Sequence, residues 1–288
     1  MNIFNKVAVV TGSARGIGKR IVEVLVEKGA KVVVTDILEQ GANVASKLNE
    51  GRGKVAVFHK CDVGDTASVQ EVFARAVQEF GAVDIWVNNA GVGGTMPWLD
   101  PDHTSLSRTL DINLKAPIEG TRLAVRYMLA NNRPGCIINI ASISAFHPIE
   151  FAPVYSAAKA GLVSFTSTCG TLAQGSPSIR VNAIAQAFVD TNIVRDGVPE
   201  MARQIMRQAG EVSADKVANE VVRCIEDESL AGDTIKLVSD KIPGVVHDAP
   251  KATAFGFIDL VKQEIAAAQS PTSQQPKTTT QNTVSANI

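Results

Sequence analysis

Short β-branched runs alternate with longer stretches of helical period along most of this chain. The runs fall at 6–11, 31–36, 54–60, 83–88, 136–140, 179–184 and 234–238. Between them apolar residues recur at steps of three and four, as in Ile17, Ile21, Val24 and Leu25, or Val69, Val72, Phe73 and Val77. That spacing lines up one buried face of a helix. Strands joined through helices run parallel and carry helices on both faces. The predicted architecture is α/β, a doubly wound seven-stranded parallel sheet forming a single domain over residues 1–248. A ligand is expected beyond the carboxyl ends of the strands.

A short helix is expected within 249–268, where Phe255, Ile258, Val261 and Ile265 fall on one side. Such a face docks on its own domain or on a second subunit more often than on lipid. Residues 269–288 are mostly serine, threonine, glutamine, proline and asparagine. Too few apolar groups are present to offset the entropy of ordering, which predicts a disordered tail.

Composition narrows the function classes. Hydrophobic residues make up 45% and the net charge is -1, a balance suited to a globular protein and not to a nucleic-acid binder. No apolar run approaches the roughly 18 to 20 residues that span a bilayer, and the N-terminus carries no signal-peptide pattern. Cys61, Cys136, Cys169 and Cys224 are far apart without a CxxC pair. They read as packed thiols, with no metal site or disulfide framework. The expectation is a cytoplasmic protein with a small-molecule ligand, no membrane span and no nucleic-acid partner.

The first strand runs into Thr11-Gly12-Ser13-Ala14-Arg15-Gly16-Ile17-Gly18, and a helix follows at once. Glycine permits the tight turn, and the helix N-terminus then offers amides to a pyrophosphate. The spacing is GxxxGxG and not the commoner GxGxxG. Eighteen residues after Gly18 the second strand ends at Asp36, whose carboxylate can take both adenosine ribose hydroxyls. It would repel a 2′-phosphate by roughly 4 kcal/mol at about 4 Å in an effective dielectric near 20. NAD is therefore favoured over NADP, with Arg15 as the counterargument and helix capping as the alternative role for Asp36. Asp62 and Val63 follow the third strand, within reach of an adenine edge or as an ordinary turn. Asn89, Ala90 and Gly91 follow Asn88 at the end of the fourth strand, where a loop can pass close to a ribose.

After the fifth strand comes Ser142, and thirteen residues later Tyr155-Ser156-Ala157-Ala158-Lys159. Tyr155 and Lys159, four apart, share a helix face. A free tyrosine titrates near 10, so a phenol acting as base needs nearby positive charge. The expectation is that the Lys159 ammonium and an oxidised nicotinamide together lower the Tyr155 pKa, and that Lys159 is raised in return. Tyr155 then exchanges a proton with an alcohol oxygen that Ser142 orients, while Lys159 holds the nicotinamide ribose. Asn113 is expected to anchor a water passing protons outward from Lys159.

In order and spacing this set resembles the short-chain dehydrogenase/reductase family: the glycine turn, Asn88 to Gly91, Asn113, Ser142, Tyr155 with Lys159, and Arg180-Val181-Asn182-Ala183. The resemblance implies a Rossmann fold, a Ser-Tyr-Lys-Asn catalytic set, and homodimers or homotetramers built through two long central helices. Among members, Arg126-Tyr127-Met128 and Pro153-Val154-Tyr155 are similar to the NAD-dependent 15-hydroxyprostaglandin dehydrogenase subgroup. The family pattern also implies cofactor contacts at Val189 and Thr191. Two departures stand out. Gln186-Ala187 replaces the usual Pro-Gly after the sixth strand, and Phe146, His147, Glu150 and Phe151 fill the segment between serine and tyrosine. The leading expectation is an NAD(H)-dependent oxidoreductase acting on a secondary alcohol or ketone, with a lipophilic alcohol such as a hydroxy fatty acid as one substrate class. The alternatives are an NADPH-dependent carbonyl reductase and a non-catalytic nucleotide sensor.

Overall fold

A computed structural model describes residues 1–94, 96–100, 104–191, 194–195, 200, 203–204, 207, 210–247 and 262–265. The elements alternate from the start: β1 (Val7–Thr11), α1 (Gly16–Glu27), β2 (Lys31–Asp36), α2 (Gly41–Asn49), β3 (Ala56–Lys60), α3 (Thr66–Phe80) and β4 (Ile85–Asn88). Then come α4 (Thr104–Leu110), a π-helical turn (Asp111–Lys115), α5 (Ala116–Ala130), β5 (Gly135–Ile140), α6 (Pro153–Thr168) and β6 (Ile179–Gln186). After β6 come α7 (Ala214–Glu226), β7 (Thr234–Leu237) and β8 (Val245–His247).

One sheet holds all the strands, in the order β3-β2-β1-β4-β5-β6-β7-β8. The first seven pair parallel, as predicted, and the order reverses between β1 and β4. The count departs from seven. An eighth strand pairs antiparallel with β7, through Ile235↔Val246. It spans three residues at the sheet edge with both valines exposed, so it carries no run of buried alternation that a sequence pattern could reveal.

Each strand feeds both faces. Ala8, Val10, Val32 and Val34 join a core with Ile21, Leu25, Val44, Val221 and Ile225, beneath α1, α2 and α7. Val9, Val33 and Trp86 face the other way, onto Val69 and Val72 of α3 and Ala124 and Met128 of α5. This is the period-two consequence of the pleat. Local signals set the helix ends. The Asp65 carboxylate caps α3 by accepting from the Ala67 N–H (3.0 Å), and Gly81 ends it at φ 82°.

Most of the helix expected within 249–268 lies outside the described residues, as do Phe255, Ile258 and Val261 and the whole 269–288 tail. Residues 262–265 are helical; Ile265 is buried against the α3/α5 core and Lys262 donates to the Ser176 carbonyl. Among the described residues no helix is long and apolar enough to cross a membrane.

Candidate active site

A cavity of about 330 Å³ opens beyond the carboxyl ends of the strands, across the β1/β4 reversal. That is where an open α/β sheet leaves a crevice. Gly12, Arg15, Gly16, Ile17 and Gly18 line it from the β1–α1 turn, Asp36 from β2, and Asp62 and Val63 from the segment after β3. Asn89, Ala90, Gly91 and Asn113 line it from the middle, Tyr155 and Lys159 from the far side, and Thr191 from beside Gly16 of the turn. Ile37, Leu38, Cys61, Val92, Arg108, Ile112, Ile140, Ala141 and Gln186 complete the wall. Apart from Gln186, sequence patterns do not single these out, because most are apolar or backbone-lining positions.

The glycine turn is built by close approach. Gly12 and Gly16 hold φ of 64° and 58°, and a Cβ on Gly18 would lie 2.3 Å from the Gly12 carbonyl oxygen. Asn89 fastens the turn, its side-chain amide donating to the carbonyls of Thr11 (2.8 Å) and Gly12 (2.9 Å). Thr11 Oγ1 accepts in return from the Asn89 and Ala90 N–H groups (both 3.0 Å). No side chain caps the first turn of α1, so its N–H donors and the positive end of a 12-residue helix face the groove. This donor set fits a pyrophosphate. Asp36 adds an oriented carboxylate: one oxygen accepts from the Ala14 N–H and the other from Leu38 N–H (3.0 Å each).

Ser13 is not at the groove wall. It is fully buried, its hydroxyl donating to the Val10 carbonyl (2.7 Å) and accepting from the Thr35 N–H (3.0 Å). It splices the turn to β2. Val189 likewise turns into the core under α1 and α7 and away from the lining.

At the far side, Ser142 accepts from the Ser144 N–H (3.1 Å) and hydrogen-bonds the Tyr155 hydroxyl. Lys159 is 3% exposed; its ammonium donates to the Ile140 carbonyl (2.8 Å) and stands 5.6 Å from the Tyr155 ring centroid. In the protein alone, burial and not the lysine sets both directions. Burial pushes the Tyr155 phenol up, against a smaller lowering by the Ser142 bond. Burial also pushes Lys159 down, to about 8. The ammonium faces a neutral carbonyl and no anion, so lost hydration outweighs the attraction that spacing alone suggested.

Asn113 sits fully buried in the π-helical turn. Its amide donates to the carbonyls of Val92 (2.9 Å) and Thr109 (3.1 Å), and its oxygen accepts from the Val92 N–H (3.3 Å). The side chain thus pins the loop after β4. Its main-chain carbonyl lacks an α-helical donor, because Pro117 has no N–H. His147 and Glu150 are exposed. Phe146 instead packs edge-on to His247 of β8, with ring centroids 4.5 Å apart.

The family model for short chain dehydrogenases matches residues 6–202. The chain is 35% identical over 257 residues to the 15-hydroxyprostaglandin dehydrogenase [NAD(+)] of Bos taurus, covering 84% of this chain and 94% of that protein. The Homo sapiens protein of the same name gives the same identity and coverage. The 3-oxoacyl-[acyl-carrier-protein] reductase FabG of Escherichia coli is 33% identical over 240 residues, 82% of this chain and 96% of that protein. With the fold, the groove and these relatives in agreement, the chain belongs to the short-chain dehydrogenase family.

Proposed function

We propose that this protein is an NAD(H)-dependent oxidoreductase that interconverts a secondary alcohol and its ketone. One observation carries the reading. The Ser142, Tyr155 and Lys159 cluster stands at the far end of a groove whose other end presents an uncapped helix N-terminus and the Asp36 carboxylate. A dinucleotide's charge and its reactive ring call for those two ends.

When bound, the nicotinamide supplies the position that accepts or returns hydride. The protein supplies the rest. Tyr155 exchanges a proton with the substrate oxygen at Oη, and Ser142, held by the Ser144 N–H, fixes that oxygen's direction. Lys159, near 8, can pass a proton close to neutrality, and a water on the Asn113 carbonyl carries it outward. The relatives' names point to lipophilic hydroxy acids as the first substrates to try.

The test is Tyr155→Phe assayed by the absorbance of reduced nicotinamide on a panel of secondary alcohols, starting with hydroxy fatty acids and steroids. Turnover should fall by about 10³-fold or more, while the dinucleotide Kd stays within about threefold, since only a hydroxyl is lost. Undiminished turnover would remove Tyr155 from the mechanism.

A further inference from the structure

Gln186 ends β6 and stands where family members usually carry proline. It is 9% exposed and lines the groove next to Ala141. Its amide nitrogen donates to the Ala141 carbonyl (3.3 Å), while Oε1 is buried with no hydrogen-bond partner among the described residues. The opposite rotation of the amide would set two carbonyl oxygens against each other, so this orientation is the favourable one. A buried acceptor without a donor is costly, and native proteins resolve such groups with a partner.

The sheet order says which donor belongs there. The groove runs from Asp36 on β2, across β1, β4 and β5, to Gln186 on β6. With the adenosine ribose at Asp36, the far base is the nicotinamide. The substrate oxygen is already served by Tyr155 and Ser142. What remains at the β6 wall is the carboxamide, whose amino group is a donor pair.

Resting on the NAD reading above, we propose that Gln186 Oε1 accepts a hydrogen bond from the nicotinamide carboxamide and takes over, by side-chain chemistry, a contact made at a loop that usually begins with Pro-Gly. Oε1 is shielded from water in the protein alone. The terminal side-chain torsion of glutamine is soft, so a modest rotation presents the oxygen to the groove while the nitrogen stays near Ala141. Gln186 is thus a positioning residue for the cofactor ring.

The experiment is calorimetric binding of oxidised dinucleotides to the full chain without substrate. NAD is compared with 3-acetylpyridine adenine dinucleotide, in which a methyl replaces the amino group. The parent should bind NAD roughly tenfold more tightly than the analogue. Gln186→Met should weaken NAD by about tenfold and leave the analogue within about twofold, collapsing the ratio. Equal affinity of the parent for both dinucleotides, a measurement that needs no variant, would overturn the proposal. So would an unchanged ratio in Gln186→Met. Failure of the parent to bind either dinucleotide would instead overturn the NAD reading beneath it.

Discussion

Lys159 shows how a buried amine costs stability. Its pKa falls from 10.5 in the free side chain to about 8 in the fold because burial strips hydration from the ammonium. Between about pH 8 and 10.5 the unfolded chain therefore binds more protons than the folded one, and stability climbs with pH across that window. Below about 8 both states are charged and the full penalty stands. Relative to Lys159→Met, the parent should gain about 3 kcal/mol over that interval, read by urea unfolding at several pH values. Parallel curves for the two proteins would mean that the amine titrates as if solvated. This direction was not legible in the sequence. Residue spacing places Tyr155 and Lys159 on one face, but it does not reveal whether the ammonium will face an anion or the Ile140 carbonyl. Gly18 was legible because a close backbone approach admits no other residue. The place of the Ser13 side chain was not legible, because a hydroxyl in a glycine turn serves a phosphate or the backbone equally well, and here it bonds Val10 and Thr35.

The elements were legible wherever their period was long. Six-residue β2 is buried on both faces and the 12-residue α1 on one, so a continuous β-branched run and the three-four step mark them. The π-helical turn at Asp111–Lys115 and the three-residue β8 leave no such periodic mark. β6 extends to Gln186, beyond the expected end at residue 184, because β7 pairs with it as far as Leu237. The same strand anchors α7 by a device that periodicity misses. Arg180, 5% exposed, donates to the carbonyls of Cys224 (2.6 Å), Ile225 (2.6 Å), Asp227 (3.0 Å) and Leu230 (3.2 Å). These carbonyls lie at or past the helix C-terminus, where cations are favoured and main-chain acceptors lack partners. Arg180→Met would remove that donor from all four, leaving Ile225 its bond from the Met1 ammonium and Leu230 its bond from the Asn182 amide, at a cost of about 3 kcal/mol. For a domain of this size the melting temperature should drop by roughly 6 to 12 °C. Arg180→Lys should lie between, because one ammonium cannot reproduce the fork. A melt of the methionine variant within about 2 °C of the parent would show that solvent replaces these bonds.

At the scale of the whole molecule, the proposed reading puts cofactor choice at one end of the groove and chemistry at the other, so the two should be alterable independently. Asp36 sits two strands from the β1/β4 reversal, and its carboxylate is held by the Ala14 and Leu38 amides. Replacing it with alanine does two things at once. It frees an N–H of the glycine turn, which weakens every dinucleotide, and it removes the negative charge that repels a 2′-phosphate. Only the second effect discriminates, so the informative quantity is the ratio of kcat/KM with NAD to kcat/KM with NADP. That ratio should fall by roughly 100-fold or more in Asp36→Ala, a change of about 3 kcal/mol that one unit charge near 4 Å can supply. Arg15, exposed on the same wall, is the group able to bind the incoming phosphate. Adding Arg15→Ala should return much of the NADP gain while leaving NAD use nearly as in Asp36→Ala. If the parent already uses NADP as well as NAD, the carboxylate does not govern the choice, and Arg15 outweighs it in the native groove.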